Sequence, residues 1–503
     1  MKRSVTSIGS LIAFIIDRDD KTPVYKQLYY QIHAAILDGR LEAGSRLPAS
    51  RILAQELGLS RNSVVTALDH LHAEGYVISR TGDGTYVADS LPEEHLAPRS
   101  GLLHIMTDDA ILGPGPSERG RLFTELSVTA GPALPIPFVA DLPAFDAFPL
   151  PLWKRFMVQS WQEVRPTMLG YADPAGFRPL RKIIASHLGA SRLLRCQSSE
   201  VVMTSGSQQS LDLISRVLLD QGDPVWIEEP GYIGARCAFL AAGARLIPVP
   251  VDEAGLNVEA GRALEPHPRL IFISPSRQYP LGMTMPMARR QALLDYAERI
   301  GAWVIEDDYD CEFRYRGSPL PAVRSLDRSQ RVIYLGTFSK SLLPSFRLGY
   351  LVLPETIQPV FTKAKAIIDR HPPLLEQIAL GSFFKTGQFA AHIRRMRQLY
   401  HERQDVLLDE LHQVVGSALT FTAADTGMHL IAFLPDNVSD LAFCDLAREY
   451  GISLRPLSIY YLSDRPKQGL IMGFAAIPVA RIRWGVKQLR KVVDQMLSQK
   501  GTI

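Results

Sequence analysis

The chain has 503 residues, 46% of them hydrophobic and 21% charged. That is too long for one ordinary core, and the composition is that of a folded, water-soluble protein of two or more domains. A formal charge of +3 excludes a globally basic protein, so any nucleic-acid surface has to be a local concentration of Lys and Arg.

Cys196, Cys237, Cys311 and Cys444 are widely spaced and form no Cys-x-x-Cys pair, which argues against zinc and a disulfide framework and fits a reducing cytoplasm. Met1-Lys2-Arg3 followed by Leu11 to Ile16 imitates a signal peptide, but the run is short, has no small-residue cleavage site and meets Asp17-Arg18-Asp19-Asp20. A β-strand is the better reading. No stretch approaches the roughly 20 apolar residues of a membrane span.

Helical spacing of Val24, Leu28, Ile32 and Ile36 places a first helix between Pro23 and Leu37. A second is expected from Ser50 to Leu57 and, after the turn Gly58-Leu59-Ser60, a third from Arg61 to Glu74 with Ser60 as N-cap. Tyr76-Val77-Ile78 then alternates into Arg80 and the glycine-bearing tip Gly82-Asp83-Gly84, a β-hairpin. Three helices and a hairpin make an α+β winged helix-turn-helix over residues 1–88.

In such a module the start of the third helix enters the major groove of double-stranded DNA. Ser60, Arg61, Asn62 and Ser63 are placed to read bases there, while Arg51, Arg80 and Gly82 are placed to clamp phosphates. Leu47-Pro48-Ala49-Ser50-Arg51, Ser60-Arg61-Asn62-Ser63-Val64, Glu74-Gly75-Tyr76 and Gly82-Asp83-Gly84-Thr85-Tyr86-Val87 resemble the signature of the GntR family of bacterial repressors.

Residues 89–132 are rich in Pro, Gly, Ser and mixed charge and are expected to form a flexible linker. From residue 133 to 503, strands alternate with helices: Val201 to Thr204, a helix after Gln208, Pro224 to Glu228, Leu270 to Ser274, Ala302 to Asp307 and Val332 to Leu335. That order predicts an α/β domain with a mainly parallel sheet.

Within this domain, Gly336-Thr337-Phe338-Ser339-Lys340, with Arg347 beyond it and Asp307-Asp308-Tyr309 upstream, is laid out for pyridoxal phosphate (PLP). Lys340 is the candidate Schiff-base residue. Asp307 closes the apolar strand Trp303-Val304-Ile305, where a carboxylate is costly without a cation, and a pyridinium nitrogen supplies one. Tyr309 is expected to donate to the ring oxygen. Ser205, Gly206, Ser207 and Gln208, opening a helix, are expected to cradle the phosphate together with Thr337, Ser339 and Arg347. Tyr232 is placed to stack on the ring.

In this order these elements resemble fold-type I aminotransferases, and the whole chain resembles the MocR/GabR subfamily of PLP-dependent transcription regulators. The resemblance puts Tyr279, in Gln278-Tyr279-Pro280-Leu281-Gly282, where aminotransferases have an asparagine contacting the ring oxygen. It also implies a domain-swapped homodimer, operator DNA as partner, and PLP or a small amine or amino-acid effector as the signal.

One position departs from the enzymes. Where they carry an arginine for the substrate carboxylate, four residues before an alanine, this chain has Ile471 before Ala475. An aliphatic side chain makes no bidentate carboxylate contact, so little or no turnover is expected unless Arg455 or another cation reaches in. The alternative is a working aminotransferase with an accessory helix-turn-helix. The basic helix from His392 to Arg403 reads as a solvated face or an inter-domain contact and not as a second nucleic-acid surface.

Overall fold

In a computed structural model, residues 14, 16–17, 20, 22–80, 83–89, 115–125, 135–317, 320–421, 424–435, 437–464 and 466–498 are described. The chain divides into two compact units, Met1–Pro114 and Gly115–Ile503.

The first unit holds helices α1 (Val24–Leu37), α2 (Ser50–Glu56) and α3 (Arg61–Ala73) and the antiparallel hairpin β1 (Val77–Arg80) with β2 (Gly84–Val87). Leu28 and Ile32 of α1, Leu53 of α2 and Val64, Leu68 and Leu71 of α3 point into one core, closed by Val77 and Val87 of the hairpin. Phe14 also enters this core, but neither Phe14 nor Ile16, the described members of the run expected to be a strand, lies in one. One apolar side chain anchoring an irregular segment needs no ladder partner.

In the second unit, α4 (Glu118–Glu125) falls inside the stretch read as linker. The Ser117 hydroxyl accepts the Gly120 amide at 3.1 Å, so a serine cap after proline starts a helix in otherwise loop-like sequence. Most of the remaining elements build the central sheet and its helices. They are α5 (Leu150–Glu163), α6 (Arg178–Arg192), β3 (Val201–Thr204), α7 (Ser207–Leu218), β4 (Pro224–Glu229), α8 (Ile233–Ala241), β5 (Arg245–Asp252), β6 (Gly255–Leu256), α9 (Val258–Leu264), β7 (Leu270–Ile273), α10 (Met287–Ile300), β8 (Trp303–Asp308), α11 (Val323–Leu326), β9 (Val332–Thr337) and β10 (Gly349–Val352).

The sheet runs β3-β10-β9-β8-β7-β4-β5-β6. Its centre, β9-β8-β7-β4-β5, is parallel, while β10 is antiparallel to both β9 and β3. The carboxyl ends of β3, β4, β8 and β9 therefore share one edge, the place where open α/β sheets hold their ligands. β3, β7, β8, β9 and β10 are buried at every residue, as expected for strands covered on both faces.

Helices α12 (Gln358–Ile368), α13 (Leu374–Lys385) and the long α14 (Gln388–Glu410) lead into a smaller antiparallel sheet, β11-β12-β14-β13, with β11 Thr420–Phe421, β12 His429–Phe433, β13 Arg455–Pro456 and β14 Gly469–Gly473. Helices α15 (Asp440–Glu449) and α16 (Val479–Ser498) complete this part. The basic α14 turns three of its charged or titratable groups inward: His392 hydrogen-bonds the Ser341 carbonyl at 3.1 Å, Arg397 donates to the Glu312 carbonyl, and Arg403 pairs with Asp146 at 2.6 Å. These contacts tie the helix to its own domain.

Candidate functional site

At the carboxyl edge of the large sheet lies a cavity of about 270 Å³ lined by residues from far-separated segments. β9 ends at Thr337 and delivers Ser339 and Lys340. β8 delivers Asp307 and Tyr309, and the start of α7 delivers Ser207 and Gln208. Tyr232, Tyr279 and Arg347, also expected from sequence, line it too, and Ala140, Asp141, Leu142, Pro344 and Arg455 join them.

Two groups in this wall lack partners that buried polar atoms normally have. Asp307 Oδ1 and the Tyr309 hydroxyl are both buried without a hydrogen bond. Burial, reinforced by Asp308, Glu228 and Asp310, pushes the Asp307 carboxyl up to about 8, with Lys340 pulling the other way. A carboxylate kept from water in this manner calls for a cationic donor, and a phenol beside it calls for an acceptor. A protonated pyridine ring bearing an oxygen substituent offers both, so the residues present fit PLP.

The opposite end of the cavity suits a phosphate. Gly206 has φ +103° and caps α7, and a Cβ built on it would come within 3.4 Å of the Arg347 guanidinium. Glycine alone adopts that backbone angle without strain. The free amides at the start of α7 and the exposed Arg347 then face the same end. Thr337 Oγ1 accepts the Ser339 amide at 3.2 Å and lies 3.1 Å from the Ser339 hydroxyl, which shapes the turn before Lys340.

Ser205 and Gly206 are not among the residues lining the cavity; the Ser205 amide donates to Gln209 Oε1 at 2.7 Å, and Gly206 is packed against Gly349. Ser207 and Gln208, from the same expected set, do line it.

Tyr279 has aromatic neighbours on several sides. Its ring meets Tyr232, Tyr309 and Tyr460 edge-on at 5.8, 5.6 and 5.4 Å. Its hydroxyl donates to Asp141 Oδ2 at 2.8 Å.

Asp141 was not legible as a site residue. It lies in an irregular segment, Ala140-Asp141-Leu142-Pro143, with φ +68°. Lys340 Nζ donates to its main-chain carbonyl at 3.0 Å and stands 3.9 Å from Oδ1, while Arg455 Nη1 pairs with Oδ2 at 2.5 Å. Burial pushes the Asp141 carboxyl up, but Lys340 and Arg455 outweigh it and hold it well below the usual carboxylate range. His429, 3.9 Å away, gives its Nε2 to the Pro280 carbonyl at 3.0 Å, and burial beside Arg277 lowers its pKa to about 3, so the ring is neutral.

Ile471 is fully buried on β14 and does not line the cavity, while Arg455, on the neighbouring β13, does. A cation thus reaches the pocket from the strand beside the one where the enzymes' arginine was looked for.

In the first unit, the Ser60 hydroxyl accepts the Ser63 amide at 3.1 Å and lies 2.9 Å from the Ser63 hydroxyl, so both serines are engaged in capping α3. Arg61 and Asn62 on its first turn, and Arg51 on α2, are exposed. Arg80 lies over the Tyr86 ring at 4.4 Å, and the Tyr86 hydroxyl donates to Asp83 at 2.7 Å, contacts at the turn end of the hairpin. Gly82 lies outside the described residues.

Comparison with known proteins bears on both units. Residues 24–87 match the bacterial regulatory proteins of the gntR family, and residues 144–486 match aminotransferase class I and II. The chain is similar to the probable rhizopine catabolism regulatory protein MocR of Rhizobium meliloti, with 40% identity over 95% of each chain. It is also similar to the pyridoxine biosynthesis transcriptional regulator PdxR of Corynebacterium glutamicum, with 31% identity over 94% of this chain and 97% of the relative. Among solved structures, the α-aminoadipate aminotransferase LysN of Thermus thermophilus, complexed with N-(5'-phosphopyridoxyl)-L-leucine, superposes with a TM-score of 0.68 at 30% identity, covering 75% of this chain and 95% of that one.

Proposed function

From the premise that this chain belongs to the MocR/GabR-type GntR transcription regulators, built of a winged helix-turn-helix and a fold-type I aminotransferase-like domain, we propose that it binds PLP at Lys340 and changes its hold on operator DNA according to the state of that cofactor. The observation that carries this reading is the pair of orphaned buried groups, Asp307 Oδ1 and the Tyr309 hydroxyl, in the same cavity wall as Lys340.

When bound, PLP supplies a carbonyl carbon for a lysine or amine nitrogen and a ring that draws electrons from it. The protein's own contribution is positioning. Asp307 would hold the ring nitrogen protonated, Tyr309 and Tyr279 would serve the ring oxygen, Tyr232 would cover the ring, and Ser207, Gln208, Thr337, Ser339 and Arg347 would take the phosphate. Excluding water from Asp307 strengthens its pull on a cation.

A sensor needs only that its ligand favour one arrangement of the two units over another. A transaminase needs more, since a substrate carboxylate must be anchored so that the reacting C–H bond is aligned. Ile471 takes the position of that anchor, and Arg455, which reaches the cavity from the neighbouring strand, is already paired with Asp141, which favours sensing over turnover. The regulator acts in the cytoplasm as a domain-swapped homodimer, and among the described residues no helix is long and apolar enough to cross a membrane. Arg51, Arg61, Asn62 and Arg80 carry its DNA contacts.

The test is reconstitution of purified protein with PLP. Visible absorbance of Lys340-bound PLP is expected in the wild type and lost in Lys340→Ala. Operator binding selected from the protein's own genomic DNA is expected to change with PLP in the wild type only. No absorbance, or full retention of it in Lys340→Ala, removes the cofactor reading. DNA binding indifferent to PLP, together with brisk turnover of amino-acid and keto-acid pairs, favours the enzyme.

A further inference from the structure

We propose that Asp141 fills, from within the chain, the cation subsite that a ligand carboxylate would otherwise use, so that the pocket takes primary amines without a carboxylate beside the nitrogen and rejects α-amino acids. This rests on PLP occupying the Lys340 cavity.

The argument begins with the charges in the wall. Apart from Arg347, which stands at the phosphate end, the cavity lining offers two cations, Lys340 and Arg455, and two carboxylates, Asp141 and Asp307. Lys340 and Asp307 are committed to the cofactor. What remains for a ligand is Arg455 with Asp141 already upon it: Nη1 contacts Asp141 Oδ2 at 2.5 Å and the hydroxyls of Tyr279 and Tyr460 at 3.1 Å each. The Tyr279 hydroxyl closes the same carboxylate at 2.8 Å. This guanidinium nitrogen is thus surrounded by acceptors belonging to the protein.

The backbone shows that the arrangement is built in. Asp141 holds φ +68°, in the left-handed region that non-glycine residues seldom enter, and this conformation aims its carboxylate at Arg455 while its carbonyl accepts from Lys340. Around it, Ile431, Ile471, Tyr279 and Tyr460 belong to one buried aliphatic and aromatic cluster. A ligand carboxylate approaching Arg455 Nη1 would meet the Asp141 carboxylate already paired with it, and like charges brought together in a partly buried site repel strongly. An amine with a hydroxyl or a second ammonium would instead find Asp141 an acceptor.

The experiment uses the full-length protein loaded with PLP, loading being read from its visible absorbance. The unfolding midpoint is then followed against L-alaninol and L-alanine, which carry a hydroxymethyl group and a carboxylate, respectively, on the same carbon. Since a ligand that binds the folded state raises the midpoint according to its free concentration relative to its Kd, L-alaninol is expected to act at a concentration about tenfold lower than L-alanine, or less. In Asp141→Asn, which removes the charge and tolerates the left-handed backbone, the ratio is expected to move toward L-alanine by about tenfold. Asp141→Gly, which adopts the same φ without strain, is expected to do likewise.

If L-alanine stabilises the wild type as well as L-alaninol does, if neither probe raises the midpoint, or if both variants leave the ratio unchanged, the assignment to Asp141 is overturned while the cofactor reading stands. Failure to load PLP overturns both.

Discussion

Arg455 on β13 pairs in register with Ile471 on β14, and Ile471 pairs in turn with Ile431 on β12. Directly paired residues of an antiparallel sheet point to the same face, so one level of the small sheet reads Ile431, Ile471, Arg455 across three strands. The cation has its place at the end of that row, where it meets Asp141. This ion pair is enclosed, its two side chains being 16% and 17% exposed, and the loss of one partner leaves a charge without compensation.

Arg455→Met is therefore expected to destabilise the cofactor-free protein by about 3 kcal/mol, moderated by the remaining contact of Asp141 with Lys340. Adding Asp141→Asn to it should return part of that loss, giving an interaction energy on the order of 1–2 kcal/mol in a double-mutant cycle. Denaturant unfolding of the four proteins measures it, and additive effects would mean the pair contributes no coupling.

The pH dependence of stability offers a second check, centred on Asp307. Its carboxyl is pushed up to about 8 in the folded protein by burial, from an ordinary value of 3.8. Between these values the folded state holds more protons than the unfolded one, so stability falls as pH rises from about 4 to about 8. Glu228, Asp310 and Glu312, each raised by burial to about 7, tilt stability the same way. Asp307→Asn is expected to make the cofactor-free protein more stable at pH 8 than the wild type by a few kcal/mol at most, with the difference vanishing near pH 4. PLP should reverse the order, since the wild-type carboxylate then has its cation. Thermal unfolding across that range, with and without PLP, decides it.

Local motifs in the sequence marked most of the expected residues that the fold gathers at the cavity. A strand ending in Asp307 and Tyr309, a turn holding Ser339 and Lys340, and a helix opening at Ser207 are each a few residues long, and strand ends in α/β folds converge by topology. Asp141 escaped because its partners Lys340 and Arg455 lie 199 and 314 residues away, and nothing in its own neighbourhood marks an aspartate after alanine as anything but a turn residue. The small sheet escaped for another reason. Two of its strands span two residues each, and β14 is buried throughout, so the alternation that signals a strand is missing. Arg455 was noticed only as a cation near the C-terminus, and the sheet register gave it a place.

For the DNA-binding unit, the division of labour at the start of α3 sets the expectation. Ser60 Oγ is committed to capping, so Ser60→Ala should cost about 1 kcal/mol of stability and leave sequence preference unchanged. Arg61 is exposed on the first turn, and Arg61→Ala should cost about 1–3 kcal/mol of operator affinity with no change in PLP absorbance. Gel-shift titration at fixed salt separates the two variants. An affinity indifferent to both Arg61→Ala and Arg51→Ala would show that this face does not meet DNA.

The phosphate end of the cavity gives the last prediction. Arg347 follows a short turn, Pro344–Phe346, with φ +50°, and its guanidinium reaches the Gly206 backbone where α7 begins. A charge-assisted hydrogen bond to phosphate contributes about 1.5–3 kcal/mol, which is roughly tenfold to a hundredfold in affinity. Pyridoxal has the same ring and carbonyl and no phosphate, so it isolates this contribution. Arg347→Ala is expected to weaken PLP binding by about that factor and to leave the much weaker binding of pyridoxal nearly unchanged, because Asp307, Tyr309 and Lys340 act on the ring alone. Gly206→Ala tests the same end by a different route, since glycine alone adopts φ +103° there without strain and the turn that opens α7 would shift. It too should lower PLP affinity and spare pyridoxal. Equal losses for both ligands in Arg347→Ala would place that residue away from the phosphate and return the cradle to the α7 amides alone.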